Sequence, residues 1–371
     1  MTTDNWGNSP VPFIPGQELS RRFYHAAVRP LLDRFFPRLP HSAALVGYGS
    51  DVLGFDTPMS RDHMWGPRLV LFLQPAGVAE MRAAVDETLR NHLPLTFEGY
   101  PTHFTQPAQD RVRWMATKDE GPVDHLVVIH SIPEFIRQEL GVDLSAPLEA
   151  RDWLVLPQQK LLAVTAGEVY HDDLDLASIR ARFAFYPPGV WLYLLACQWT
   201  RIAQEEAFVG RTGSQGDDLG SRLIAARLVH DLMGLAFLLE KRYAPYAKWF
   251  GAAFRRLEIA PVLEPILASA LAATEWQARE AALSQAYEIM ADRQNAAGLT
   301  EPLDAQTRSF FERPFRVLFA GRFADALRAH ITDPWLKHLP LYGSIDQFST
   351  STDLREDVDA WARLRSLYPA S

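Results

Sequence analysis

One short segment of the chain carries residue types that could bind a phosphorylated ligand together with a metal ion. Gly49 and Ser50 close an apolar run, and after eleven further residues the chain reads Asp62-His63-Met64. A glycine lets backbone N–H groups approach a phosphate closely, and a serine hydroxyl can donate to a phosphate oxygen. A carboxylate is a ligand that Mg²⁺ prefers. This spacing is typical of nucleotidyl-transfer sites, where a carboxylate pair holds one or two Mg²⁺ ions.

The metal site predicted from this segment lacks its second carboxylate. In an extended segment Asp62 and Met64 point to one side, so Met64 stands where the second acid is needed. A thioether is a poor ligand for the hard Mg²⁺ ion. Two other phosphate-binding loops are excluded, because no Gly-Lys-Ser/Thr follows and a dinucleotide fingerprint beginning at Gly47 would need a glycine at Val52.

The segment and several later ones resemble a known family. The stretches are "GYGSDVLGFDTPMSRDHMWGPRLVLFL" (47–73), "LPQQKLLAVTAGEVYHD", "YPPGVWLYLLACQWTRIAQEEAFVGR", "RPFRVLFAGRFADALR" and "GSIDQFSTSTD". They are similar to an uncharacterised bacterial family of nucleotidyltransferase-like proteins with a C-terminal helical domain of unknown function. The resemblance covers most of the chain and supplies no substrate.

This resemblance implies a third carboxylate in the stretch "DHLVVIH". Asp124 opens that stretch, whereas another register would place Val128 at the ligand position. With Asp124 in place, Asp62 and Asp124 are the predicted catalytic and Mg²⁺-binding residues. With Val128 in place, two of the three usual acids are missing.

Neighbouring side chains are open to two interpretations each. Arg61 and Arg68 are predicted to bind a triphosphate, or are solvated surface arginines. His63 is a weak candidate metal ligand, or a histidine that only donates and accepts hydrogen bonds. Gly49 and Ser50 are predicted to bind the phosphates, or form a plain turn after a strand.

The elements that must position these residues change in kind along the chain. Short apolar runs at 42–49, 67–73 and 124–132 predict strands, and 111–117 predicts an edge strand. Helical periodicity fills 17–36 and 77–93, and it dominates the chain after about residue 150. The predicted fold is therefore α+β: a nucleotidyltransferase-like domain with a mixed sheet over 1–148, followed by an α-helical bundle domain over 149–371.

The helical part contains further, weaker candidates. "GRTGSQGDDLGSR" (210–222) is either a capped loop between helices or a loop that carries Arg211 and Arg222 into a cleft between the domains. Asp346 is a weak candidate because the family resemblance extends to its segment. The run His171-Asp172-Asp173 suggests metal ligands, but no partner histidine-aspartate pair follows at a usable spacing, so we interpret it as a solvated turn.

Composition excludes several classes of protein. The chain has 371 residues, 48% of them hydrophobic and 22% charged, which predicts a folded protein. Its net charge of -8 argues against a bulk nucleic-acid binder. No uninterrupted apolar run approaches the roughly 18 residues of a membrane span, and the first residues do not resemble a signal peptide. With one cysteine, Cys197, the composition predicts a cytoplasmic protein.

The leading functional hypothesis is transfer of a nucleotidyl group to a small molecule or a protein, or nucleotide binding, in a cleft between the domains. Mg²⁺ is the expected cofactor and a nucleoside triphosphate the expected substrate or ligand. The alternative is a catalytically degenerate pseudoenzyme that acts as a regulatory or interaction module, which Met64 favours. A third hypothesis is a helical protein-binding scaffold, against which Gly49, Ser50 and Asp62 argue.

Overall fold

The computed structural model describes residues 11–106 and 112–369. The chain divides into two compact units. The first unit comprises Met1–Pro147 and Lys160–Ala184, and the second comprises Leu148–Gln159 and Phe185–Ser371.

The helices of the described residues are α1 (Gly16–Phe23), α2 (Arg29–Phe35), α3 (Val78–His92), α4 (Ile132–Leu140), α5 (Ala150–Val155), α6 (Gln158–Thr165), α7 (Leu176–Ala181), α8 (Pro188–Glu205), α9 (Phe208–Gly213), α10 (Asp218–Leu239), α11 (Ala247–Phe254), α12 (Ala260–Ala272), α13 (Trp276–Ala296), α14 (Gly321–Ala329), α15 (Pro334–His338), α16 (Ile345–Phe348), α17 (Thr352–Glu356) and α18 (Val358–Leu364). The strands are β1 (His41–Leu45), β2 (Arg68–Leu73), β3 (Thr96–Phe97), β4 (Tyr100–Pro101), β5 (Leu126–Ser131), β6 (Glu168–Asp172), β7 (Arg308–Phe310) and β8 (Arg313–Val317).

A four-stranded mixed sheet forms the centre of the first unit. Its order is β5-β2-β1-β6, with β2 and β5 parallel and the other pairs antiparallel. On one face Leu71 and Ile129 pack with Leu32 of α2 and Leu89 of α3 in a buried apolar core. The opposite face carries the alternate residues. The predicted α+β class with a mixed sheet is confirmed.

Local sequence signals account for most elements of this unit. Helix α4 begins after Ser131, whose side chain accepts from the Glu134 N–H, while the Glu134 carboxylate accepts from the Ser131 N–H. It ends at Gly141, whose φ of 66° is a conformation that glycine adopts without strain. The predicted edge strand at 111–117 is wrong, because its described part forms only the single bridge between Met115 and Phe104.

Strand β6 is the main departure from the sequence-based interpretation. The sequence predicts a helix through residue 170, but helix α6 ends at Thr165 and strand β6 follows at Glu168–Asp172. Ala44 of β1 then pairs with Val169, which makes β6 the edge of the sheet. The segment Lys160–Ala184 therefore belongs to the first unit, although the predicted boundary at 148/149 assigned it to the helical domain.

The second unit is mainly helical, as predicted. Helix α8 packs against α10 and α14, and α13 packs against α10 and α12. In its core the Trp199 ring of α8 stacks on the Phe323 ring of α14, with centroids 4.8 Å apart. None of the helices in the described ranges combines the length and the apolar character that crossing a membrane requires.

Candidate functional site

The glycine loop after β1 is held by its backbone geometry and by one ion pair. Gly49 has a φ of 142°, and a Cβ atom there would collide with the side chains of Asp51 and Arg68. The Arg68 Nε donates to Asp51 Oδ2 at 2.8 Å, and its Nη2 donates to Asp51 Oδ1 and to the Tyr48 carbonyl at 2.7 Å each. Because the Asp51 side chain is only 2% exposed, this pair fastens the loop to the start of β2.

Both arginines that were predicted to bind a triphosphate serve the scaffold in this arrangement. Arg68 is occupied by Asp51. The Arg61 side chain is buried, with Nε donating to the Pro58 carbonyl and Nη1 to the Val11 carbonyl, each at 3.1 Å. Nothing in this placement supports a role for either guanidinium in nucleotide binding, which stays a prediction.

The acids near the loop differ in whether the scaffold already uses them. Asp56 Oδ2 accepts from the Gly16 N–H at 2.7 Å and from the Trp65 indole N–H at 3.0 Å. Asp62, by contrast, is 53% exposed, and its Oδ1 lies 3.1 Å from His63 Nδ1. Asp62 is thus the acid of this segment that remains accessible to a ligand.

The backbone at Met64 corrects the assumption of an extended segment. Residues 58–62 form a 3₁₀ turn, and Met64 has a φ of 49°, in the left-handed region. Its N–H donates to the Arg113 carbonyl at 2.9 Å, which holds this conformation in place. The alternation argument therefore does not describe position 64. Among non-glycine residues, asparagine and aspartate adopt this conformation more readily than methionine does.

Asp124 lies just before β5 and pairs with an arginine of helix α3. Its carboxylate is 2.5 Å from the Arg90 Nη2 of that helix. Burial alone would raise the pKa of Asp124, but Arg90 and His103 outweigh it and hold this pKa below its usual value. Val128, in register with Val70, stands on the face that carries Arg68 and is exposed.

In the part of the chain that the structure describes, Asp62 is not part of any cluster of three potential metal ligands. Asp124 is committed to Arg90, and Val128 occupies the loop-side face. Among the described residues, Asp62 and Asp124 belong to no group of three His, Cys, Asp or Glu ligand atoms that lie within 4.8 Å of one another. The predicted roles of Asp124 in catalysis and metal binding stay predictions without geometric support.

The second unit contains a cavity of about 600 Å³. Its wall includes one face of α10, and its remaining lining is partly apolar, including Leu194 and Phe348. The polar and charged lining residues are Gln158, Gln159, Gln198, Arg201, Arg227, His230, Asp231, Ser344, Asp346, Gln347, Ser349, Thr350 and Arg355. Cavities of this size with a few convergent polar groups are the usual form of small-molecule sites.

Two buried carboxylates organise the polar part of this cavity. Asp231 Oδ1 accepts from Arg201 Nε and from the Gln198 amide, each at 3.1 Å. Asp346 Oδ2 accepts from the Gln158 N–H at 2.8 Å, and its Oδ1 lies 3.4 Å from Arg355 Nε. Burial raises the pKa of Asp346. The weak sequence candidate Asp346 therefore lines a cavity.

Arg211 and Arg222, the two arginines predicted to reach a cleft between the domains, do not line this cavity. Arg222 pairs with Asp218 at 2.6 Å on the same helix, and Arg211 lies over the Phe208 ring at 5.2 Å. Sequence reasoning missed Arg201 and Asp231. The available signal was the spacing of Arg227, His230 and Asp231 along one face of α10, which the structure turns toward the cavity.

One comparison with known proteins matches a central segment of the chain. The family described as Domain of unknown function (DUF4037) matches residues 153–250. This chain is similar to that family over this segment. The match confirms the resemblance, predicted from the sequence, to a family with a helical domain of unknown function. The DUF4037-like segment includes all of α10 and the cavity-lining residues from Gln158 to Phe250.

Other comparisons add less. The search of curated proteins found no match. A solved structure described as a nucleotidyltransferase-like protein from Exiguobacterium sibiricum is 11% identical, with a TM-score of 0.33; the alignment covers 84% of this chain and 90% of that chain. A likeness at this level carries no argument about activity.

Proposed function

We propose that the first unit binds a nucleoside triphosphate at the glycine loop, with Asp62 as its Mg²⁺ ligand, and that nucleotidyl transfer is weak or lost. The observation that carries this proposal is the exposure of Asp62, whereas Asp51 and Asp56 of the same segment are bonded within the scaffold. The loop supplies Gly49 and Ser50, residue types suited to phosphate binding. A cytoplasmic location, where nucleoside triphosphates are present, fits this proposal.

The number of available carboxylates favours a catalytically degenerate protein over an active transferase. Two-metal transfer stabilises the attacking and the leaving oxygen through ions about 4 Å apart, which several shared carboxylates must hold. Here the position at which the sequence pattern predicts a second acid is Met64, and the carboxylate of Asp124 pairs with Arg90. A single carboxylate is expected to support weak Mg²⁺ binding and a regulatory or interaction role.

Calorimetric titration with ATP, GTP, CTP and UTP, with and without Mg²⁺, tests this proposal. We expect binding of at least one nucleotide, and a loss of its Mg²⁺ dependence in Asp62→Asn. The matched control is Asp119→Asn, which removes an exposed carboxylate from a turn of the same unit.

Two results would contradict the proposal in different ways. If none of the four nucleotides binds, the helical scaffold hypothesis replaces it. If the protein releases pyrophosphate from a bound nucleotide at an enzymatic rate, and Asp62→Asn abolishes the release, the protein is an active transferase and the degenerate part is wrong.

The cavity of the second unit favours a second candidate function, the binding of a small organic molecule. Apolar walls with Leu194 and Phe348 could contact its body, and Arg201 could bind an anionic group. Nε of Arg201 is bonded to Asp231, while no hydrogen bond within the described residues uses its two terminal amino groups. A small-molecule acceptor of a nucleotidyl group is one ligand of this kind.

An apolar aromatic anion, 1-anilinonaphthalene-8-sulfonate, is a direct probe of this cavity. We expect saturable binding with a rise in fluorescence, weakened in Arg201→Met. The control Arg255→Met removes an exposed arginine that lies outside the cavity lining and pairs with Glu264 on the surface. Equal binding by both variants would show that the probe does not report this cavity.

A further inference from the structure

The edge of the central sheet brings together three side chains that the sequence keeps far apart. His41 opens β1, and His171 lies on the neighbouring strand β6, where it pairs with Ala43. The Asp173 N–H donates to the His41 carbonyl at 3.1 Å, which extends the pairing by one step. As a result, one potential ligand atom from each of His41, His171 and Asp173 lies within 4.8 Å of the others. We call these three residues the histidine corner.

We propose that the histidine corner binds a divalent transition-metal ion of the zinc class. Two imidazole nitrogens and one carboxylate oxygen are the donor types that Zn²⁺ takes, and three protein ligands leave a fourth position for water. Mg²⁺ prefers a set of oxygen ligands, so the same donors select against it. The corner is therefore distinct in chemistry from the site proposed at Asp62.

Hydrogen bonds around the corner already orient His41 for this role. Its Nδ1 lies 2.9 Å from the Leu39 carbonyl, to which only a protonated nitrogen can donate. The Nε2 of the neutral ring then carries the lone pair that a metal needs. Metal-bound histidines usually have such a backbone or carboxylate partner on the other ring nitrogen. The Tyr24 hydroxyl, 2.9 Å from Nε2, donates to that lone pair and would turn away from it when a metal binds.

The other two residues are held next to His41 by short contacts. His171 Nε2 lies 2.8 Å from Asp173 Oδ2, and the same oxygen accepts weakly from the His41 N–H at 3.4 Å. The His41 and His171 rings have centroids 4.4 Å apart. Small rotations of the His171 and Asp173 side chains would bring the three donors around one ion.

A recess of about 270 Å³ gives a solvent ion access to the histidine corner. Its lining includes both acidic and basic side chains. Asp33 lines the recess and adds a second carboxylate, which favours a cation. Arg29 and Arg38 also line it and oppose a cation, although Arg29 lies 3.7 Å from Asp33, so part of its charge is balanced. The competing explanation is a hydrogen-bonded cluster that only closes the sheet edge.

Metal titration of the full-length protein decides between these explanations. After chelator treatment, Zn²⁺ is titrated in competition with a chromophoric indicator, and Co²⁺ is added separately because its visible spectrum reports tetrahedral coordination. We expect one site per chain and no displacement of Zn²⁺ by millimolar Mg²⁺. Asp173→Asn, an exposed and nearly isosteric change, should weaken Zn²⁺ binding at least about 10–100-fold, the effect known for partners one shell further out.

Three further measurements keep the result specific to the corner. His171→Gln should weaken binding as Asp173→Asn does, while the control His92→Gln, an exposed histidine of α3, should leave it unchanged. Asp62→Asn should also leave Zn²⁺ binding unchanged, so failure here is separable from failure of the nucleotide proposal. The absence of stoichiometric Zn²⁺ binding, or equal affinity in wild type and both corner variants, would overturn the proposal.

Discussion

The first unit has two regions where metal ligands could meet, and they are built in opposite ways. Around Asp62 the candidate residues are neighbours in sequence, follow a 3₁₀ turn and are largely exposed. At the histidine corner they come from two paired strands, and His41 is buried. Among the described residues, Asp62 and its neighbours form no group of three potential ligands, whereas strand pairing brings one ligand atom from each residue of the histidine corner within 4.8 Å of the others. A set of ligands depends on tertiary pairing more than on a local motif.

Two acids of the first unit also differ, because one stabilises the fold and the other is accessible to a ligand. Asp51 is buried against Arg68, whereas Asp62 is half exposed. The first should matter for stability and the second for ligand binding. Substitutions at the two positions should therefore differ most in their effect on stability.

Asp51→Ala should lower the free energy of unfolding of the first unit by about 3–5 kcal/mol, the effect of leaving one partner of a buried ion pair alone. Asp62→Ala should change it by no more than about 0.5 kcal/mol, as exposed substitutions usually do. Denaturant unfolding followed by circular dichroism measures both. Similar effects for the two variants would remove the distinction between them.

A buried carboxylate of the second unit, Glu206, should make the stability of the protein depend on pH. Burial raises the pKa of Glu206 from 4.5 to about 7, although its oxygens accept from the Ala320 and Leu318 N–H groups. Because the folded-state pKa is the higher one, the stabilising contribution is complete below about pH 4.5 and is lost as the pH rises through 7. The change is roughly 3 kcal/mol.

Stability curves between pH 4.5 and 8 measure this effect. Glu206→Gln should remove the corresponding part of the decline. Glu356, whose pKa burial also raises to about 7, contributes a similar slope, so the variant keeps a smaller decline. An unchanged curve in Glu206→Gln would show that Glu206 is ionised in the folded protein throughout.

Met64→Asp should strengthen Mg²⁺-dependent nucleotide binding about 10–100-fold, or roughly 1.4–2.7 kcal/mol, by adding a carboxylate beside Asp62. Calorimetry with and without Mg²⁺ measures the gain, and Asp62→Ala in the same background should abolish it. The control Met64→Asn suits the left-handed backbone equally well and adds no charge. An equal gain in both variants would mean that backbone geometry, not the new ligand, is responsible.

The smallest expected change in stability comes from the left-handed backbone at position 64. Met64→Asn should raise the free energy of unfolding by up to about 1 kcal/mol, because asparagine adopts a φ of 49° at less cost than methionine. Thermal unfolding without ligand measures it. A destabilised variant would show that contacts of the methionine side chain outweigh the strain.

Features that depend on residues close together in the sequence could be predicted, and features that depend on distant contacts could not. Strands β2 and β5 and helices α3 and α4 were predictable because periodicity, the Ser131 cap and Gly141 lie within a few residues of the elements they define. The sequence could not predict that Asp62 is the acid that stays accessible, because the other acids are occupied by residues that are distant in the sequence. Asp51, Asp56 and Asp124 each contact a residue at least seventeen positions away, respectively Arg68, Gly16 and Arg90.

By itself, then, the amino-acid sequence determined the α+β class, the helical second part and the glycine loop. Local propensity and residue identity are sufficient for those features. Only the tertiary structure decided that β6 belongs to the sheet, that Arg68 serves Asp51, and that His41 lies beside His171. These outcomes depend on which distant segments pair, because the free energy of closing long loops and burying both partners is a property of the whole fold.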